Sequence, residues 1–207
     1  MDEIIPGILE NNWVGIEEKI KICSTFVNKI HIDFVDGKFA ANTTFMDFPK
    51  FLPYSQNIFL EAHLMVEEPV NYLSALSQAG FKRFIGHVEK MSDQTDFVVK
   101  AQELGEVGLA LDLKTPIDEI RVSREDLDTI LLMGVNAGFS GQTFQPEVLE
   151  KISKIRSSSL VNIEVDGGEN ATNIQQIASS GANIFITTSF LFNGNPKANF
   201  EKLLSLI

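Results

Sequence analysis

Eight short apolar runs recur along the chain, each followed closely by glycine, proline, aspartate or a polar turn. They are IIPGI (4–8), KIHID (29–33), IFLEAHL (58–64), RFIGHV (83–88), VGLALDL (107–113), TILLMGV (129–135), NIEVD (162–166) and IFITTS (184–189). Several are nearly continuous in apolar residues, as parallel strands are when helices cover them on the outside. The segments between them change period. VNYLSALSQAG (70–80) spaces its apolar side chains at three and four and stops on Gly80, which reads as a helix with a C-terminal glycine cap. QPEVLEKISKIR (145–156) carries Pro146 in its first turn, where the missing N–H costs nothing. ENATNIQQIASSG (169–181) has a capping residue in Asn170 and ends on Gly181, and NPKANFEKLLSLI (195–207) is the last helix.

Strand and helix units repeated eight times in 207 residues predict an α/β fold of the (β/α)8 TIM-barrel type, with residues 1–207 as one domain. An open doubly wound sheet normally has fewer strands and a glycine-rich loop after the first. Here no GxGxxG or GxxxxGK follows any run.

Composition narrows the function. Twenty-eight acidic against seventeen basic residues give a net charge of −11, which argues against nucleic acid as a partner. A small phosphorylated ligand stays open, because a few backbone N–H groups can hold one phosphate locally. Cys23 is the lone cysteine, so no internal disulfide is expected, and its helix-like surroundings, KIKICSTF, suit a packed core residue better than a nucleophile. The start, MDEIIPGIL, lacks the basic opening and long apolar core of a signal peptide, and no run approaches the roughly 18 residues of a membrane span. A cytoplasmic protein without a membrane partner is the expectation.

Four residues at three predicted strand ends carry the candidate chemistry: His31 and Asp33 in IHIDFVDG, His63 in AHLMV, and Asp166 in VDGG. Barrel strands converge at one mouth, and residues i and i+2 of a strand face the same side, so these four can meet. Two imidazoles and two carboxylates suit a divalent metal, Zn2+ first, with Fe2+, Mn2+ or Co2+ also compatible. His87, the third histidine, reads as a satisfied core residue with no carboxylate partner beside it. Three glycine- or hydroxyl-rich turns look built for phosphate: the loop holding Gly138, Ser140, Gly141 and Gln142, the pair Gly167 and Gly168, and Thr188 with Ser189. A metal and two carboxylates beside a phosphate site point to proton abstraction next to a carbonyl. Asp33 and Asp166 would work on opposite faces of the carbon, epimerising a sugar phosphate. That chemistry is expected to raise the basicity of both carboxylates through a shared, partly desolvated site.

These residues resemble the ribulose-phosphate 3-epimerase family over essentially the whole chain. IHIDFVDGKF is similar to the family's HxDxMDGxF, EAHLMVEEP to HLMVxxP, and GLALDLKTP to GLALNPxTP. NAGFSGQTFQPEVLEKI is similar to xPGFGGQxFxPxxLxKI, and IEVDGGENATNI to VDGGxNxxTI. The resemblance implies a barrel of the ribulose-phosphate-binding type that interconverts D-ribulose 5-phosphate and D-xylulose 5-phosphate in the pentose phosphate pathway. It implies a metal held by His31, Asp33, His63 and Asp166, with Asp33 and Asp166 as the catalytic acid/base pair. It also implies a homo-oligomer, and substrate contacts that include Met65 and the position of Gly7. The chain departs from the family where Gly7 replaces a serine, Val35 a methionine, Ala137 a proline, and Ser140 and Thr188 glycines. Met46 stands where glycine is usual. The departures concentrate on substrate-facing and phosphate-facing positions. An epimerase for another ketose phosphate, such as a hexulose 6-phosphate, is therefore the leading alternative, followed by a non-catalytic binding barrel. Related decarboxylases use DxKxxD, and Asp33-Phe34-Val35-Asp36 lacks that lysine.

Overall fold

The structure is a computed structural model that describes residues 2–207. Its eight strands are β1 Glu3–Ile8, β2 Lys29–Val35, β3 Phe59–Met65, β4 Arg83–His87, β5 Glu106–Leu111, β6 Thr129–Met133, β7 Asn162–Asp166 and β8 Ile184–Thr187. They pair in parallel, each with the next, and β1 pairs with β8 to close the barrel. Alternation along each strand sorts the side chains. On β2, Ile30, Ile32 and Phe34 pack outward into the shell beneath the helices, while His31, Asp33 and Val35 take the alternate, inward positions. Inside, Ile5, Ile184 and Ile186 form one apolar cluster, and Val35, Met65, Ile85, Ala110, Leu131 and Met133 belong to another.

The helical layer is less regular than the eightfold repeat predicts. Six α-helices are present among the described residues: α1 Trp13–Cys23, α2 Leu73–Gln78, α3 Gln94–Gln102, α4 Val148–Arg156, α5 Ile174–Ser179 and α6 Pro196–Leu204. After β2 the chain makes only a 3-10 turn at Phe48–Phe51, and after β5 only two, at Ile117–Glu119 and Arg124–Asp126. Pro49 and Pro53 explain the first, because two prolines four residues apart cannot share an α-helical ladder. Caps fall largely where expected: Gly80 and Gly181 take the left-handed conformation, with φ of 91° and 111°, just past α2 and α5. The cap assigned to Asn170 falls later, on Asn173, and Asn170 Oδ1 instead accepts from Thr172 N at 2.8 Å.

Candidate active site

β2 and β3 run in register, so that Asp33 lies beside His63 and His31 beside Glu61. All four have inward parity. Asp166 arrives from the other side of the barrel as the last residue of β7. His63 Nδ1 sits 2.8 Å from Asp33 Oδ1 and 3.4 Å from Asp166 Oδ2, and His31 Nε2 lies 3.3 Å from Asp33 Oδ1. One ligand atom from each of His31, Asp33, His63 and Asp166 falls within 4.8 Å of all the others, and all four residues are buried.

Two buried partners fix which nitrogens face this centre. Glu61 is ionised: burial opposes its charge, but bonding to His31 and the Arg83 guanidinium hold its carboxyl below the ordinary range. His31 Nδ1 therefore donates to Glu61 Oε1 at 2.5 Å and turns Nε2 inward. On β4, desolvation keeps His87 neutral. Burial opposes the charge of Glu89, yet the His87 bond draws its pKa down to about 2. His87 Nδ1 thus donates to Glu89 Oε2 at 3.0 Å, and its Nε2 is left to accept from His63 Nε2 at 2.9 Å. That donation leaves His63 Nδ1 facing the carboxylates. His87 is satisfied, as expected, but its carboxylate partner is two residues away, a contact the sequence reading missed.

Two imidazole lone pairs aimed at two carboxylates are a donor set for a divalent cation. With protons in its place, both histidines are drawn towards the charged form. Burial opposes this for His63, and its bonds to Asp166 and Asp33 outweigh burial and raise its pKa to about 9. Burial likewise opposes the charged His31, and Asp33 and the nearby glutamates overcome it. Asp33 shows the converse: burial alone would raise it, but the two imidazoles hold it well below the usual carboxylate range. The expected rise in its basicity is absent because charged histidines, not apolar walls, surround it.

The predicted phosphate loops gather around this centre. A cleft is lined by Asp33, Asp166, Met65 and Met133, and its outer rim by Gly138, Ser140, Gly141 and Gln142 after β6. Gly167, Gly168, Thr188 and Ser189 complete the wall, the last two lying just past the end of β8 rather than within it. Gly167 and Gly168 have φ of 116° and 84°, and a Cβ on Gly168 would fall 2.7 Å from Phe144 N. Gln142 Nε2 braces its own loop, donating to Asn136 O and Phe139 O at 2.7 and 2.8 Å. Gly7 and Met46 do not line the cleft. Met46 packs against the outer core, and Gly7 lies behind the side chains of Thr188 and Ile186.

A model of the ribulose-phosphate 3 epimerase family matches residues 3–192. The chain belongs to the ribulose-phosphate 3-epimerase family. It is 32% identical over 200 residues to the ribulose-phosphate 3-epimerase of Schizosaccharomyces pombe, covering 92% of this chain and 87% of the relative. Against the cytoplasmic isoform of that enzyme from Oryza sativa it is 30% identical, with 92% and 87% covered. The crystal structure of 3-hexulose-6-phosphate synthase from Salmonella typhimurium superimposes with a TM-score of 0.75 at 14% identity, covering 100% of this chain and 98% of the other. That likeness bears on the barrel fold alone.

Membership in the epimerase family leaves three buried acids that sequence reasoning passed over. Glu61 and Glu164 stand two residues before His63 and Asp166, charged residues at inward positions of apolar strands, and that parity is the signal that could have found them. Arg83 pairs with Glu61, with Glu106 at 2.7 Å and with Glu164 at 3.7 Å. Burial and the charge of Glu61 raise Glu164 to about 7. The third, Glu169, lines the cleft; its Oε2 accepts from Gly167 N at 2.9 Å, and its Oε1 has no partner.

Proposed function

We propose that this chain epimerises a ketose phosphate at C3, with D-ribulose 5-phosphate and D-xylulose 5-phosphate as the pair. The observation that carries the reading is the convergence of Asp33 and Asp166, from β2 and β7, on His63 Nδ1 at 2.8 and 3.4 Å, in a cleft that the glycine turns also line. Asp33, an ionised carboxylate, takes the C3 proton from one face, and Asp166 delivers one to the other face. The roles reverse for the opposite direction. His31, Asp33, His63 and Asp166 hold the metal, for which Zn2+ is the first choice; when bound, it supplies a Lewis acid for the charge that develops on the carbonyl oxygen. The backbone of Gly138 to Gly141, of Gly167 and Gly168, and of Thr188 and Ser189 offers N–H groups to the phosphate. His31 and His63 are locked in orientation by Glu61 and His87, so the donors are set before substrate arrives. The relatives' names favour a sugar phosphate as substrate, and the cytoplasmic isoform among them favours that compartment; a homo-oligomer follows only from the motif resemblance. No helix of the described residues is long and apolar enough to cross a membrane.

The test is solvent exchange. The metal-loaded protein incubated with D-ribulose 5-phosphate in D2O is expected to place deuterium at C3 and form D-xylulose 5-phosphate, followed by NMR. Exchange confined to a hexulose phosphate would move the substrate, and no exchange with any ketose phosphate despite bound metal would overturn the assignment.

A further inference from the structure

What crowds position 7 is the side chains packed over it, not its backbone conformation, since its φ lies outside the left-handed region. A Cβ built there would fall 2.5 Å from Thr188 Oγ1 and 2.7 Å from Ile186 Cγ2. The strands explain why. Ile5 of β1 pairs with Ile186 of β8, Pro6 with Thr187, and Gly7 with His31 of β2. Ile5, Ile184 and Ile186 form an interior cluster, so two residues further along each strand Gly7 and Thr188 fall in the next interior layer, level with His31. In that layer β1 contributes no side chain, and the threonine of β8 leans across to fill the place.

The hydroxyl that arrives there is uncommitted. Thr188 accepts through its carbonyl from Phe192 N at 3.2 Å, but its Oγ1 has no hydrogen-bond partner among the described residues. Thr188 also lines the cleft with Asp33 and Asp166. Its height matters for what it can touch. Thr188 Oγ1 lies over Gly7, whose strand partner is His31, a member of the buried acid and imidazole centre.

We propose that Thr188 supplies, from just past the end of β8, a hydroxyl that binds the sugar chain of the substrate next to the reacting carbon, in the space that Gly7 leaves open on β1. This rests on the epimerase reading above and adds to it a side-chain role, on the sugar, for a residue whose backbone is offered to the phosphate. Positions 7 and 188 form a coupled pair. A serine at 7 and a threonine at 188 cannot coexist without displacement, so the departures at these two positions amount to one hydroxyl moved between neighbouring strands.

The experiment compares the unsubstituted protein with Thr188→Val, which keeps the shape and removes the hydroxyl, and with Thr188→Ser, which keeps the hydroxyl. Each is assayed for kcat and KM with D-ribulose 5-phosphate and for competitive inhibition by inorganic phosphate. Thr188→Val is expected to lose about tenfold or more in kcat/KM, the effect of one lost hydrogen bond. Thr188→Ser should recover most of that loss, and inhibition by phosphate should be unchanged in both. Gly7→Ala, which drives the threonine from its place, should reproduce the Thr188→Val loss. Thr188→Val with unaltered kcat/KM would reduce the residue to a spacer and overturn the proposal. So would a loss of phosphate affinity in parallel with kcat/KM, which would assign the hydroxyl to the phosphate. Absence of turnover in the unsubstituted protein would overturn the epimerase reading itself, and this proposal with it.

Discussion

A carboxyl group sealed from water with one oxygen unpaired pays for ionisation, and Glu169 is in that position. Burial first, and the charge of Asp166 second, push its pKa well above the ordinary value of 4.5, against the smaller pull of backbone N–H groups including that of Gly167. The folded protein therefore keeps a proton that the unfolded chain releases earlier. Stability from this source is complete below the unfolded value and is lost as pH rises towards the folded one. The unfolding temperature should accordingly fall as pH rises from the ordinary carboxylate range into alkaline solution, and Glu169→Gln should flatten the fall. At pH 8 the variant should be more stable by about 1–2 kcal/mol, the cost of a buried polar group left unpaired. Near pH 4.5 the two proteins should coincide; calorimetry across that range checks both. A variant less stable at pH 8 would mean that the ionised carboxylate earns its place through Gly167. Nothing in the segment VDGGEN marks this acid as buried, because an acidic residue after two glycines reads as an exposed turn. Only the folded turn after β7, where Glu169 Oε2 accepts from Gly167 N, brings it inside. Glu89 was missed for a related reason, since a 3-10 turn after β4 brings it back onto His87.

At the scale of elements, the strands were legible because burial on both faces enforces continuous apolar runs, and β7 matches its expected bounds, 162–166. The ends of the others were less so. The apolar runs end at Asp33 and Leu64, yet β2 continues two residues further, to Val35, and β3 one, to Met65. Helices were legible where glycine caps and spacing agreed, as at α2 and α5; α4 was legible from spacing alone, since Pro146, expected in its first turn, stands before the cap at Glu147. They were overcounted after β2 and β5, where the eightfold repeat was extended to segments whose own residues favour turns. The loops after β6 and β7 act as one element through Gly168. Its φ of 84° is left-handed, and an added Cβ would meet Phe144 N, Cα and Cβ at 2.7, 2.8 and 2.9 Å. Backbone cannot yield as a flexible side chain can, so Gly168→Ala must push the two loops apart. We expect KM for the sugar phosphate to rise by an order of magnitude or more with a smaller change in kcat. A stability loss of about 1–3 kcal/mol should accompany it, as strain at such positions costs. Steady-state kinetics with thermal unfolding on the same variant measures both. Unchanged KM would separate these loops from the phosphate.

Closure of the barrel gathers charges that are far apart in sequence. Glu61, Arg83 and Glu164 stack beneath His31, and Asp33, Asp166 and His63 sit above, all inside a molecule that already carries a net charge of −11. Sequence could place the four metal-type residues on inward positions of β2, β3 and β7, because that needs only strand order and parity. It could not show that an arginine and two glutamates would balance one another one layer below, because that depends on register between β3, β4 and β7 in the closed barrel. The upper layer has no arginine or lysine of its own among these contacts. Its carboxylates are balanced by protons on His31 and His63, whose raised affinities for protons reflect that demand. A divalent ion bound by the same atoms meets that demand directly and binds only where the barrel has assembled them, so its binding energy adds to folding. Protein stripped with a chelator should therefore unfold at lower temperature, and restored Zn2+ at a hundredfold over its dissociation constant should add about 2.7 kcal/mol. Asp166→Asn, which removes one ligand charge and leaves the lower layer intact, should cut that increment while changing the stability of the stripped protein little. An increment that survives Asp166→Asn undiminished would place the ion elsewhere, with the lower group of His31, Glu61 and Glu164 as the remaining buried set that can reach one. Arg83 already occupies Glu61 of that set, which is why the upper layer is the one expected to respond.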